Sequence, residues 1–180
     1  GAISFSRNPC LAAASREALV VRQGDSPAAE ACNAAIRKLF GRSLRLRQVS
    51  AGGCNACEAD TNVLNTIGWD LGRFGIQFVA SPRHADGLLI TGPVPRNMEL
   101  ALRKTYAATP SPKIVIAAGA CAISGGIYRT REEVLGGAAP VVPVDVYVPG
   151  CPPHPATILD GLLRLLGIVP ETSDAKVAAH

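Results

Sequence analysis

A parallel sheet doubly wound by helices, an α/β fold, is what this chain of 180 residues encodes, and three observations carry that expectation. Short strand-like and helix-like segments alternate over about 120 residues from Leu44 onward, the pattern of a parallel sheet with helices on its faces. Two of the strand-like segments, DGLLITG and KIVIAAG, are apolar almost throughout, as strands covered on both sides must be. Glycine or proline punctuates the junctions between segments.

Residues 1–43 read as an N-terminal extension with one helix, Pro27 to Phe40, whose Ala31, Ala34, Ala35 and Leu39 recur at helical spacing. LRLRQVS (44–50) alternates in period two and runs into Ala51-Gly52-Gly53, a strand followed by a tight turn. Glu58 to Trp69 reads as a helix with Val63, Leu64 and Ile67 on one face. IQFVA (76–80) is the second strand and DGLLITG (86–92) the third. Pro95 opens a helix that runs to about Ala107, since a proline suits the first helical turn. KIVIAAG (113–119) and VDVYVPG (144–150) are the fourth and fifth strands. Pro155 to Leu166 closes the domain as a helix with Ile158, Leu159, Leu162, Leu163 and Leu166 on a shared face. The longest irregular piece, Ala122 to Pro143, has the size of a functional or interface loop. The domain therefore spans 44–169, and 170–180 form a loose polar tail.

Composition excludes several roles. With 48% hydrophobic and 18% charged residues, the chain is not a self-repelling disordered one. Aromatics at 4% leave little to stack on nucleic-acid bases, and a net charge of +4 is too mild for a nucleic-acid binder. The longest apolar stretches, Ile114 to Tyr128 and Val146 to Leu159, fall short of the roughly 20 residues of a membrane helix and are broken by Gly or Pro. Arg16 and Glu17 close the short N-terminal apolar run, a poor fit to a secretory signal, so the expected setting is cytosolic, where thiols stay reduced.

Six cysteines are too few for a disulfide scaffold of this length. Four of them follow expected strands: Cys54 and Cys57 after the first, Cys121 after the fourth and Cys151 after the fifth. In an open parallel sheet those strand ends face one crevice, so four thiols from three loops converge. Four thiolates suit a 4Fe-4S cluster or a structural zinc. One CxxC joined by two single distant cysteines favours the cluster, because zinc ribbons usually bring two local CxxC knuckles. A thioredoxin-like CxxC would leave Cys121 and Cys151 unexplained. Glycines at the strand ends, Gly53, Gly92, Gly119 and Gly150 among them, let backbone N–H groups approach cluster sulfurs, ordinary turns being the alternative. Pro149, Pro152 and Pro153 stiffen the loop around Cys151. Cys10 and Cys32 stand outside the pattern as ordinary thiols. The basic run Arg37, Lys38, Arg42, Arg45 and Arg47 suits acidic lipid or an acidic partner, with a solvated face as the alternative.

Four motifs in order carry a resemblance: Gly53-Cys54-Asn55-Ala56-Cys57-Glu58, FGIQFVASPRHADGLLITGPVPRNM (74–98), AAGACAISGGIY (117–128) and VPVDVYVPGCPPHP (142–155). From Leu44 to Gly167 the chain resembles the small, cluster-bearing subunit shared by membrane-bound nickel-iron hydrogenases and respiratory complex I. The resemblance implies a flavodoxin-like fold and one proximal 4Fe-4S cluster held by Cys54, Cys57, Cys121 and Cys151. It also implies one-electron transfer beside a hydrogenase-type large subunit that holds the nickel, with a ferredoxin-like electron-transfer subunit and membrane subunits as further partners. The implied location is peripheral, on the cytoplasmic side of the inner membrane.

Complex I subunits carry two adjacent cysteines at the first motif. Here Asn55 takes the second position and Cys57 supplies a CxxC, which points to the hydrogenase branch. The missing cysteine-rich domain with medial and distal clusters, and the missing twin-arginine signal, point to the formate hydrogenlyase or energy-converting type. The alternatives are a complex I-like subunit passing electrons to quinone and a hydrogenase-derived complex without nickel. Glu58 has a proton-handling role open to it, with helix-start stabilisation as the alternative; Asp60 is a weaker candidate. Arg83 and His84 are expected near the partner surface, where they would tune the potential, or, for His84, simply in solvent.

Overall fold

The computed structural model describes residues 8–20 and 43–168. Five strands, β1 (Leu44–Ser50), β2 (Ile76–Phe78), β3 (Gly87–Thr91), β4 (Ile114–Ala118) and β5 (Val146–Val148), pair in the order β2-β1-β3-β4-β5, and every pairing is parallel. That order is the flavodoxin-like one, whose strand order reverses beside β1 and places ligands at the C-terminal strand ends. The helices are α1 (Ala56–Val63), α2 (Arg96–Ala108), α3 (Ala120–Ser124) and α4 (Pro155–Leu165).

Two apolar layers sandwich the sheet. On one face Leu44, Leu46, Leu89, Ile116 and Val148 pack against Leu64, at the end of α1, and against Ile158, Leu162 and Leu165 of α4. On the other, Val49, Leu88, Ile90, Val115 and Ala117 meet Leu102 of α2 with Ala122 and Ile123 of α3. Every residue of β3 and β4 is buried, which is why those segments read as apolar throughout. Each fully buried Leu or Ile contributes about 1.5–3 kcal/mol.

Element ends differ from the sequence reading for identifiable reasons. The helix expected to reach Trp69 stops at Val63. The Thr66 hydroxyl donates back to the Val63 carbonyl at 2.7 Å and Asp70 takes a left-handed conformation, so the chain turns and leaves Ile67 fully exposed while Leu64 is buried. The second strand ends at Phe78 because Ser81 caps a 3-10 turn over Pro82–His84. The third and fifth start late because carboxylates clip the neighbouring strands. Asp86 accepts the Arg45 N–H at 2.8 Å, and Asp145 accepts the Val115 N–H at 2.8 Å. The piece taken as wholly irregular, Ala122 to Pro143, begins inside α3 and continues into a 3-10 turn at Gly126–Tyr128. The helix expected over 27–40 and the tail 170–180 lie outside the described residues, as does Cys32.

Part of the N-terminal stretch is packed onto the domain. Ala13 and Tyr147 exchange two antiparallel backbone hydrogen bonds of 2.9 and 2.8 Å, so a strap runs along the outer edge of β5. A Cβ on Gly161 of α4 would lie 2.9 Å from the Ala12 Cβ, so the glycine is what lets the strap come close. Cys10 sits at the same contact: Arg164 donates to its Sγ at 3.1 Å, and the thiol faces Asp160 Oδ1 at 3.5 Å. Among the described residues no helix is long and apolar enough to cross a membrane.

Candidate metal centre

The first crossing, from β1 to α1, supplies two thiols. Asn55 stands between them in a left-handed conformation, φ 71°, which asparagine tolerates better than most residues. Its position aims the chain from Cys54 in the loop into α1, whose first turn holds Cys57. Cys121 lies in α3, directly beyond β4, and Cys151 follows β5. Cys54 and Cys151 are exposed, whereas Cys57 and Cys121 are half-buried, and all four are free thiols.

These four side chains line one hollow at the C-terminal ends of the strands, together with Gly53, Gly92, Ala120, Gly150 and Pro152. The convergence expected from strand-end spacing is therefore present. A Cβ on Gly119 would stand 2.5 Å from the Cys57 Sγ, and one on Gly126 2.8 Å from the Cys121 Sγ, so two sulfurs occupy room that any side chain there would fill. Both glycines have positive φ, 93° and 56°, and so meet a conformational as well as a steric demand.

The thiols also act on one another. Burial pushes Cys57 up to about 11, and Glu58 together with Cys121, Cys54 and Cys151 adds to the rise. Burial, then Cys151 and Cys54, raises Cys121 as well. Such a group resists becoming four thiolates until positive charge arrives, so metal binding here would expel protons. Among the described residues no set of three or more His, Cys, Asp or Glu side chains is drawn in around one metal ion.

Glu58 is 5% exposed and also lines the hollow. The hydroxyls of Ser50 and Thr91 both donate to its Oε1 at 2.6 Å. Burial pushes its carboxyl up, but the two hydroxyls and its own backbone N–H outweigh this and hold it below the usual carboxylate range. Ser50 and Thr91 escaped the sequence reading; they are register partners at the ends of β1 and β3, and the signal for them was a hydroxyl closing each strand.

Arg83 and His84 are not at this end of the molecule. They share a groove with Arg45, Asp86 and Pro112, residues that open or precede strands, so they lie at the N-terminal edge of the sheet, opposite the thiols. Their expected part in tuning a potential is thereby corrected.

The family model described as NADH ubiquinone oxidoreductase, 20 Kd subunit, matches residues 54–165, a span that opens at the first thiol and takes in all four. The chain belongs to that family. Formate hydrogenlyase subunit 7 of Escherichia coli is 44% identical over 79% of this chain and 56% of its own length. The probable membrane-bound hydrogenase subunit mbhJ of Pyrococcus furiosus is 43% identical over 72% of this chain and 77% of its own. Among solved structures, a chain of the membrane-bound sulfane sulfur reductase, an archaeal respiratory membrane complex, superposes with a TM-score of 0.63 at 35% identity over 74% of each chain. This chain thus spans little more than half of the formate hydrogenlyase subunit.

Proposed function

We propose that this chain is the electron-transfer subunit of a membrane-associated nickel-iron hydrogenase complex, with Cys54, Cys57, Cys121 and Cys151 holding one 4Fe-4S cluster next to the large-subunit active site. The observation that carries the reading is the meeting of four thiols, from the ends of β1, β4 and β5, on a single hollow. Such a cluster, when bound, takes up and releases one electron at a time. The chain's own residues hold and shield it. The cysteines supply the ligands, Gly119 and Gly126 leave room for two of the sulfurs, and Glu58 stands by as a fixed carboxylate. Pro152 and Pro153, which carry no N–H, stiffen the wall behind Cys151.

The hollow opens on a face that suits a large partner. Cys54 and Cys151 are exposed, and beyond Gly126, which touches Cys121, Ile127 is 84% exposed and Tyr128 follows it. An exposed cluster rimmed by apolar side chains is what a hydrogenase-type large subunit would cover. A ferredoxin-like electron-transfer subunit and membrane subunits complete the assembly, with this chain peripheral on the cytoplasmic side of the membrane. The likeness to a sulfane sulfur reductase chain and the family's ubiquinone oxidoreductase description support a second reading, an electron-transfer subunit of a quinone-reducing or nickel-free relative.

Anaerobic purification, reduction and EPR test the cofactor: one 4Fe-4S signal is expected, and a colourless protein holding a single zinc would overturn the reading. Hydrogen evolution and uptake by the whole complex separate the two versions. A complex that does neither, or whose large subunit lacks nickel-binding cysteines, belongs to the second.

A further inference from the structure

The two edges of the sheet are finished differently. Along β5 the strap pairs through Ala13, but along β1 the pairing with β2 covers only Leu44, Leu46 and the residue between them. The last bond on that side runs from the Val79 N–H to the Leu46 carbonyl, after which the chain leaves the sheet for the 3-10 turn at Pro82–His84. In β1 the odd residues face β3: Asp86 donates to the Arg45 carbonyl, and Ala51, just beyond the strand, donates to Thr91. The even residues face outward. The N–H and C=O groups of Gln48 and Ser50 therefore point away from β3, and no described residue pairs with them there.

This open edge forms the floor of a groove whose far wall is α2. Arg47, Val49 and the edge of Gln48 and Ser50 line one side; Met98, Ala101 and Thr105 line the other. Residues 47–50 offer about 13 Å of strand, enough for a short extended segment. We propose that a partner subunit adds a strand to this edge, pairing with Gln48 and Ser50, presenting an acidic side chain to Arg47 and an apolar one to Met98. Main-chain pairing then gives affinity and the groove gives selectivity. The proposal rests on the chain's being one subunit of a larger complex, but not on which metal the cysteines hold.

Charge selects this occupant over two others. Arg47 pairs with no acid among the described residues, so an acidic partner strand gains from it. A second copy pairing along 47–50 would set another Arg47 near the first and bring no acid from those four residues to offset either. The chain's own stretch from 21 to 43 carries four basic residues against two acidic ones, a poorer complement to Arg47 than an acidic strand.

The test is hydrogen exchange on the complex, purified through a tag on this chain, compared with the chain alone. The amides of Gln48 and Ser50 are expected to exchange freely in the isolated chain and about a hundredfold more slowly in the complex. Gln48→Pro removes an outward donor without touching the β1–β3 ladder, and Arg47→Glu reverses the charge. Both are expected to release one subunit at moderate salt while the cysteine-site EPR signal stays unchanged. Equal exchange in both samples, or full subunit retention by both variants, overturns the proposal. Protection already present in the monomeric isolated chain overturns it in favour of the chain's own segment. Protection that grows with concentration, alongside a dimer mass, overturns it in favour of a second copy.

Discussion

Replacing Gly119 with alanine separates a conformational demand from a collision with a cysteine. Gly119 adopts φ 93° and ψ 154°, a region almost reserved for glycine, and alanine there costs about 1–3 kcal/mol. The added Cβ also lands 2.5 Å from the Cys57 Sγ, so the sulfur must retreat by roughly 0.9 Å to reach ordinary contact near 3.4 Å. Ligand distances in a metal site tolerate only about 0.2 Å. The fold therefore loses a few kcal/mol at most, whereas the cofactor site is broken. Gly136 supplies the control: its φ is 78°, but its Cβ would meet nothing within 4 Å. Gly136→Ala is expected to lower the melting temperature and keep the reduced-state EPR spectrum; Gly119→Ala is expected to lose or shift that spectrum. Iron content and thermal melts, measured on both variants prepared anaerobically, check the comparison. An unaltered spectrum in Gly119→Ala would show that Cys57 does not hold the cofactor where the geometry puts it.

Cys121→Ser and Cys151→Ser should each lose or alter the EPR signal. Cys10→Ser should leave the signal intact and weaken the fold by about 1 kcal/mol through its bond to Arg164, as a denaturant titration would show. Gly161→Ala should favour α4 by up to about 1 kcal/mol yet push against Ala12, so the Ala13 and Tyr147 amides exchange faster; Ala12→Gly in the same chain should restore their protection. Burial raises the Asp145 carboxyl above its ordinary value, so the native state holds that proton more tightly than the unfolded chain does. Stability should then fall as pH rises from the ordinary Asp range through the raised native value. Asp145→Asn should remove that fall and leave a more stable protein at neutral pH, provided its amide oxygen still accepts from Val115; denaturant midpoints from about pH 4 to pH 7 measure it.

How far the sequence reaches depends on the scale of the signal. β3 and β4 were legible because both faces of each are covered. Their neighbours' ends were not, because Asp86 and Asp145 finish the pairing with side chains. Ile67 matched a helical period that Thr66 and Gly68 do not allow to continue. The cysteines were legible as strand-end residues, since parallel strands finish together. The same rule explains the misplacement of Arg83 and His84: residues just before β3 must return to the edge where it starts. The expectation placed them by the end of the second strand, whereas their nearness to the start of β3 decides which end of the sheet they occupy. The Ser50–Thr91–Glu58 contact needs register, and the strap needs the fit of Ala12 against Gly161; neither leaves a periodic trace.

The strap on β5 bears on when the four thiols come together. Cys54 and Cys57 are neighbours in any state of the chain, but Cys151 joins them only when β5 has docked as the last strand of the sheet. That strand is short and is held from outside by Ala13. A chain whose β5 edge is open therefore presents fewer than four converged thiols, so the set depends on a contact made by residues far away in sequence.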